Sequence, residues 1–263
     1  MDYQNFEYDV HESVARITIN RPKSYNALDL PSMKELCDLV NRCSSDSRVR
    51  AVVISGSGAH AFCAGGDVAS FAANADTVDL LLKEMTGYFH MAISRLAWMD
   101  APVIAAVNGV AAGAGLSLAA ACDLAIASDH ARFASAYSTV GLSPDGSSSW
   151  YLPRLIGRRR TMELYLTPRS LSAQEAVDWG LINRVVPQDQ FAAEVNQLAA
   201  QIASGPTRAY GGVKKLMMLS SNDTLESQME RETRQIAELA MSNDGREGAK
   251  AFVEKRKPVF TGY

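Results

Sequence analysis

The run from Pro102 to Ala127 constrains this chain more than any other stretch. Pro102-Val-Ile-Ala-Ala-Val107 is short, apolar and rich in β-branched residues, and reads as a buried strand. Leu124-Ala-Ile-Ala127 reads the same way. Between them Asn108-Gly109 breaks the chain, and Gly113-Ala114-Gly115 opens an apolar helix that closes near Cys122-Asp123. Glycines at a helix start let a ligand approach the backbone. The first N–H groups of a helix lack internal partners, and its dipole favours negative charge there. A strand, a glycine turn and a buried helix start therefore offer bare donors to a developing anion, which is half of an oxyanion hole. The run is apolar enough to suggest a membrane helix, but Pro102, Asn108-Gly109 and Asp123 cut it into pieces of soluble-core length. It also lacks the third glycine and the acidic ribose partner of a dinucleotide site.

The remaining elements alternate. Val14–Ile19 and Ala51–Ile54 read as strands. The first is followed by a polar loop, Asn20 to Asn26, and a helix with Asp29 as cap, Pro31 in its first turn and a stripe of Met33, Leu36, Cys37 and Val40. Apolar residues from Leu82 to Leu96 repeat at three and four, placing a helix over Asp79 to Leu96. Strands joined by long helical crossovers imply a largely parallel α/β sheet. Ser172-Ala-Gln-Glu175 is a capping box and Gly180 a helix stop. Phe191 to Ile202 marks another helix, and Gly205-Pro206 a hinge. Beyond it the chain reads helical: Leu225, Met229, Ile236 and Ala240 form one stripe, and Asp244-Gly-Arg-Glu247 caps a last helix reaching Lys257. The expected division is a core over residues 1–202 and a helical arm over 203–263, whose apolar faces suit docking onto the core or another subunit.

Composition excludes several classes. In 263 residues the net charge is −3, which argues against a nucleic-acid partner. Arg158-Arg159-Arg160 reads as a solvated helix start. Cys37, Cys43, Cys63 and Cys122 have no metal-binding or CxxC spacing and read as reduced core thiols. The acidic N-terminus shows no signal or transit peptide, so a cytoplasmic protein is expected.

Ala64-Gly65-Gly66-Asp67 is a second glycine turn after a strand and can supply the other oxyanion donor. Together with Asn20-Arg-Pro-x-x-x-Asn26-Ala-Leu28, Phe62-Cys-Ala-Gly-Gly-Asp67, Pro102 to Val110, Cys122-Asp123 and Arg246-Glu-Gly-x-x-Ala-Phe252, it makes the whole chain resemble the enoyl-CoA hydratase/isomerase (crotonase) superfamily. The resemblance implies a spiral ββα core related to ClpP and a C-terminal helical trimerisation arm, in a homotrimer or dimer of trimers. It also implies acyl-CoA thioester substrates, and an oxyanion hole made by the N–H groups of Gly66 and Ala114. No metal or redox cofactor is implied; coenzyme A enters as part of the substrate. By the same resemblance Lys23, Ser24 and Tyr25 occupy the adenine and phosphate loop. Ala64 and Tyr137 fall at substrate positions, and Phe252 and Lys255 reach CoA across a subunit boundary. Read alone, Lys23 and Lys255 are equally surface lysines.

The departures are informative. Hydratases of the family add water with two glutamates, and the aligned positions here are Ser117 and Tyr137. A carboxylate appears instead in Gly141-Leu-Ser-Pro-Asp145-Gly. Read alone it is a turn aspartate. By resemblance it is the catalytic acid of the enoyl-CoA isomerases, including the phenylacetate-pathway branch, or the nucleophile of 4-chlorobenzoyl-CoA dehalogenase. An aspartate that shuttles protons works in apolar surroundings, for which Phe133, Tyr137 and Trp150 are candidates. His90 aligns with the dehalogenase base, but equally reads as a helix histidine. His11, His60 and His130 show no carboxylate partner in the sequence, and Ser117 lacks a nucleophile elbow. The expected activity is double-bond isomerisation of an enoyl-CoA. The alternatives are hydratase, hydrolytic dehalogenase, and non-catalytic CoA-thioester or RNA binder.

Overall fold

The computed structural model describes residues 3–263. A hairpin of β1 (Phe6–His11) and β2 (Val14–Ile19) starts the chain, and α1 (Leu30–Ser45) crosses to β3 (Ala51–Gly56). Then one step occurs three times. A strand of a large sheet runs into a short strand of a second sheet and on into helix. The first step is β3, β4 (Ala61–Cys63), α2 (Val68–Ala73) and α3 (Val78–Trp98). The second is β5 (Val103–Val107), β6 (Val110–Ala112) and α4 (Ala114–Ala121). The third is β7 (Leu124–Ser128), β8 (Arg132–Ala134) and α5 (Ser148–Leu155). The core closes with α6 (Arg158–Leu166), β9 (Ser170–Ser172), α7 (Ala173–Trp179), β10 (Arg184–Val186) and α8 (Gln188–Ala203). Three helices follow: α9 (Thr207–Ser220), α10 (Leu225–Ala240) and α11 (Asn243–Val253).

The large sheet has the order β1-β2-β3-β5-β7-β10 and is parallel beyond the first hairpin. The small sheet runs β4-β6-β8-β9, antiparallel only at its last pair. This is the ββα spiral the resemblance implies. Helices cover both faces of the large sheet, so its strands carry continuous apolar runs; all five residues of β5 are buried. Period two still sorts them. Val53, Ile104 and Ala106 face Phe191, Val195 and Ala199 of α8, while Val52, Val103 and Ala105 join the larger core around α1, α3 and α4.

Local chemistry sets the ends. Asp29 and Ser32 form a reciprocal capping box at α1, as Ser172 and Glu175 do at α7, and Gly180 ends α7 at φ 82°. The last helix differs from expectation. Ser242, not Asp244, is its cap, with Oγ accepting from Gly245 N at 3.0 Å. The helix stops at Val253, short of Lys257, and Lys255 is left-handed at φ 54°. Asp244 serves the chain's end instead, its carboxylate accepting from Thr261 N at 2.7 Å and Gly262 N at 2.8 Å. The small sheet is not legible in the sequence because its strands have three residues each, too short to display a period, and six-residue β1 is not legible because it is mostly exposed beyond Phe6.

Asp123, part of the motif that closes α4, pairs with Lys214 of α9. The Lys214 ammonium donates to Asp123 Oδ2 at 2.7 Å, Leu96 O at 2.9 Å and Ala101 O at 3.1 Å, with only 7% of its side chain exposed. Burial pushes the Asp123 carboxyl above the usual carboxylate range despite Lys214 and the Val103 N–H beside it. Lys214→Met therefore leaves a desolvated charge unpaired, and is expected to cost about 3 kcal/mol in urea unfolding. Adding Asp123→Asn should recover part of the loss; no recovery would assign the cost to packing alone.

Candidate active site

The first glycine turn follows β4. Leu28 N donates to Gly65 O at 2.7 Å, Asp67 N to Leu28 O at 2.8 Å and Ala64 N to Tyr25 O at 3.0 Å, so residues 64–67 are sewn to residues 25–28. Arg21 locks the seam: its Nη2 reaches Asp29 Oδ2 at 2.7 Å and Asp67 Oδ2 at 3.1 Å, and its Nη1 donates to Ala27 O. Buried Asn26, left-handed at φ 57°, donates to Ala61 O at 2.8 Å and Ser57 O at 3.0 Å. Asn108 accepts from Gly56 N at 3.0 Å and donates to Gly58 O at 2.8 Å. The Asn-Arg-Pro and Asn-Gly motifs thus act as buried scaffolding, a role their sequence did not reveal.

The second turn ends β6. Gly113, at φ 50°, donates to Ala134 O at 3.1 Å, and α4 begins at Ala114. A Cβ on Gly115 would lie 2.0 Å from Cys63 O, so the two turns pack backbone against backbone. Among the described residues neither Gly66 N–H nor Ala114 N–H donates to a protein acceptor. Both residues line one cavity of about 280 Å³, with apolar walls that include Met33, Phe71, Leu82 and Met85. Two unpaired donors in a mainly apolar cavity suit an oxygen that gains negative charge.

Asp145 lines the same cavity. Tyr137 OH donates to its Oδ1 at 2.6 Å. Ser117 Oγ lies 2.9 Å from that hydroxyl and donates to Asp145 O at 2.9 Å. The two positions where hydratases carry glutamates by resemblance therefore hold Asp145 between them. Burial first, and the Asp145 charge second, push the Tyr137 hydroxyl far above its ordinary range, so it stays a donor. His90 Nε2 is 4.0 Å from Asp145 Oδ2 and accepts from Gly146 N at 3.1 Å. A nitrogen that accepts this N–H carries no proton, which places the ring proton on Nδ1.

The other candidates separate. Ala64 and Tyr137 line the cavity; Lys23, Ser24, Tyr25, Phe252 and Lys255 do not. Residues 22–24 form a 3₁₀ turn beside exposed Tyr25, and Phe252 is 85% exposed. Trp150 and Asp145 line a second cavity, whereas Phe133 is fully buried in the main core. The surroundings of Asp145 are thus not simply apolar, because Tyr137 holds one of its oxygens. His11 and His130 do have carboxylate neighbours, Glu12 at 3.8 Å and Asp129 at 3.6 Å, but at exposed sites away from the cavity. All four cysteines are free, and burial pushes the thiols of Cys43 up to about 11 and Cys63 up to about 12, so neither suits a nucleophile. Among the described residues no helix is long and apolar enough to cross a membrane.

Comparison with known proteins extends this geometry. The family model for enoyl-CoA hydratase/isomerase matches residues 9–263. The 1,2-epoxyphenylacetyl-CoA isomerase of Escherichia coli is 37% identical over 259 residues, covering 96% of this chain and 97% of its own. The 4-chlorobenzoyl coenzyme A dehalogenase-2 of an Arthrobacter species is 39% identical over 226 residues, 86% of this chain and 82% of its own. The crystal structure of an enoyl-CoA hydratase from a Polaromonas species superposes with a TM-score of 0.92 at 34% identity, covering 97% of this chain and 99% of that one.

The backbone contact at Gly115 yields a direct test. Gly115→Ala forces α4 away from Cys63 O, a shift of the overpacking kind that costs roughly 1–3 kcal/mol. The expected result is a lower unfolding midpoint with turnover falling further than stability explains. Gly87→Ala, in α3 with no left-handed φ and nothing within 4 Å of the added Cβ, is the control for glycine replacement away from this contact.

Proposed function

The chain belongs to the enoyl-CoA hydratase/isomerase family, and we propose that it is an enoyl-CoA isomerase acting on an acyl-CoA thioester and shifting a double bond from the 3- to the 2-position. One observation carries this reading: Asp145 is the one carboxylate lining the cavity among the described residues. Moving a proton along an acyl chain takes one shuttling group, whereas adding water takes a separate acid and base. In the proposed reaction Asp145 removes a proton from the γ carbon. Charge runs to the thioester oxygen, which the Gly66 and Ala114 N–H groups receive as a dienolate, and Asp145 delivers a proton to the α carbon. Each such donor contributes about 2.7–4 kcal/mol. Tyr137 tethers one oxygen of the carboxylate. No metal or redox cofactor enters this scheme.

The same proposal assigns CoA to Lys23, Ser24, Tyr25 and Ala64 on one subunit and to Phe252 and Lys255 of a neighbour, in a homotrimer or dimer of trimers within the cytoplasm. Supporting it, the α10 stripe is unpartnered in the single chain, with Leu225 at 70% and Ile236 at 71% exposure, and Val253 of α11 stands 80% exposed. A second reading, hydrolytic dehalogenation, is favoured by His90 beside Asp145 and by the Arthrobacter relative. Hydration, suggested by hydratase-named relatives such as the crotonyl-CoA hydratase of Syntrophomonas wolfei at 33% identity, lacks a second carboxylate in the cavity.

Single turnovers in heavy-oxygen water separate these. A dehalogenase aspartate becomes an ester that water cleaves, leaving label in Asp145; hydration places label in the product; a proton shuttle leaves both unlabelled. The expected outcome on a 3-enoyl-CoA is isomerisation with no label, lowered roughly a thousandfold in Asp145→Asn. His90→Gln, which keeps an acceptor for Gly146 N–H, should remain active. Oxygen label in Asp145, or loss of isomerisation in folded His90→Gln, would overturn the isomerase reading. Ala114→Pro removes one hole donor and should lower turnover about a hundredfold if the variant folds.

A further inference from the structure

Asp145 stands in the wall between two cavities. The first is the site described above. The second, of about 530 Å³, lies on the His90 side, where His90, Ser94, Trp98, Ser149 and Trp150 are among the residues around it. Asp145 is the one residue that the two linings share.

Its two oxygens are unlike. Oδ1 takes the Tyr137 hydroxyl at 2.6 Å, and Tyr137 lines the first cavity. Oδ2 is 4.0 Å from His90 Nε2, and His90 lines the second. The lone pair of that nitrogen is occupied by Gly146 N–H at 3.1 Å, so neutral His90 has no proton there to give Oδ2. Among the described residues no protein group donates a hydrogen bond to Oδ2. A half-buried carboxylate oxygen without a protein donor takes its hydrogen bonds from water. The second cavity is roomy enough to supply it.

We propose that the second cavity is a solvent port: water reaches Asp145 from behind while an acyl thioester fills the first cavity, and exchanges the proton that Asp145 carries. What the port does rests on the isomerase reading; whether it is open does not. The balance is simple. The γ C–H bond breaks and its proton passes to the carboxylate. A water hydrogen replaces it through the port. That hydrogen forms the new bond at the α carbon, and the substrate's proton leaves with the solvent. No electrons are transferred to or from an external partner.

Ser94, one turn beyond His90 on α3, and Ser149 at the start of α5 are both exposed and both line the port, so enlarging them fills it without touching the core or the first cavity. The test compares the wild type with Ser94→Phe/Ser149→Phe in two measurements. The first treats each protein with a water-soluble carbodiimide, with and without a saturating non-hydrolysable alkyl-CoA thioether, and reads modification of Asp145 by mass spectrometry. The wild type should be modified in both conditions, and the filled variant severalfold less once the thioether is bound. Full protection of the wild type by the thioether alone overturns the port.

The second measurement follows isomerisation of a 3-enoyl-CoA in heavy water. The wild type should place solvent deuterium at the α carbon in a large share of turnovers, and the filled variant severalfold less at comparable rate. Complete return of the substrate's own hydrogen by the wild type, or equal deuterium in both proteins, also overturns the port. Absence of isomerisation in both proteins would refute the isomerase reading, and the carbodiimide result would still decide whether the port is open.

Discussion

The contact on which the rest of the structure depends is the meeting of two backbones. Gly115 of α4 lies against Cys63 O, and Gly65 against Ala112 O and the Ala114 N–H, at separations no side chain fits. Because these turns end two strands of the small sheet, the contact fixes how the second ββα step stacks on the first. It also explains the composition of α4, Ala-Gly-Leu-Ser-Leu-Ala-Ala-Ala, all buried: small residues let the helix start sit deep between the sheets. The helix brings its positive end and unpaired N–H groups to the cavity, so the packing that stabilises the spiral also points donors inward. Structure and chemistry share the same atoms here.

Given that frame, chemistry varies through the side chains around it. Ser117 and Tyr137 are a hydroxyl pair where hydratases by resemblance carry two glutamates. Their hydrogen bonds turn toward Asp145, which comes from another segment, the loop before α5. Replacing two carboxylates by two hydroxyls and adding one carboxylate nearby lowers the charge of the cavity while keeping one titrating group. The proposed isomerisation asks for such a network, since it moves a proton without importing an oxygen.

Legibility in the sequence followed the length of each signal. Long periodic helices such as α1, α3 and α8, and the continuous apolar runs of β3, β5 and β7, were plain from residue spacing. So were the glycine turns, because glycine marks close approach by what it lacks. The small sheet was hidden, since β4, β6 and β8 have three residues each. The Lys214–Asp123 pair was hidden for another reason: the partners are 91 residues apart in the chain, and nothing local marks a lysine as buried. The cap of α11 was misplaced because Ser242 and Asp244 both have capping chemistry, and only the docked chain end shows which carboxylate is already in use. At the site, Asp145 stood out once the glutamate positions were seen to be hydroxyls. Its link to those positions required three dimensions.

The way Asp145 is held bears on what it can do. Its carbonyl accepts from Ser117 Oγ at 2.9 Å, Ser148 Oγ at 3.0 Å and Ser148 N at 3.2 Å. The following residues, Gly146 at φ 60° and Ser147 at φ 62°, are both left-handed, and His90 accepts the N–H between them and Asp145. A Cβ on Gly146 would meet Phe89 at 2.4 Å and Ser117 at 2.8 Å, so only glycine completes this turn. The backbone is therefore clamped from several sides, while the carboxylate itself has one tether, the Tyr137 hydroxyl. A nucleophile that must attack along one line gains from a fixed side chain. A shuttle that collects a proton at one carbon and delivers it two carbons away needs a fixed pivot and a carboxylate free to turn about it. The distribution of hydrogen bonds around Asp145 matches the second requirement, and it comes from the serines and the glycine of its neighbourhood rather than from the aspartate itself.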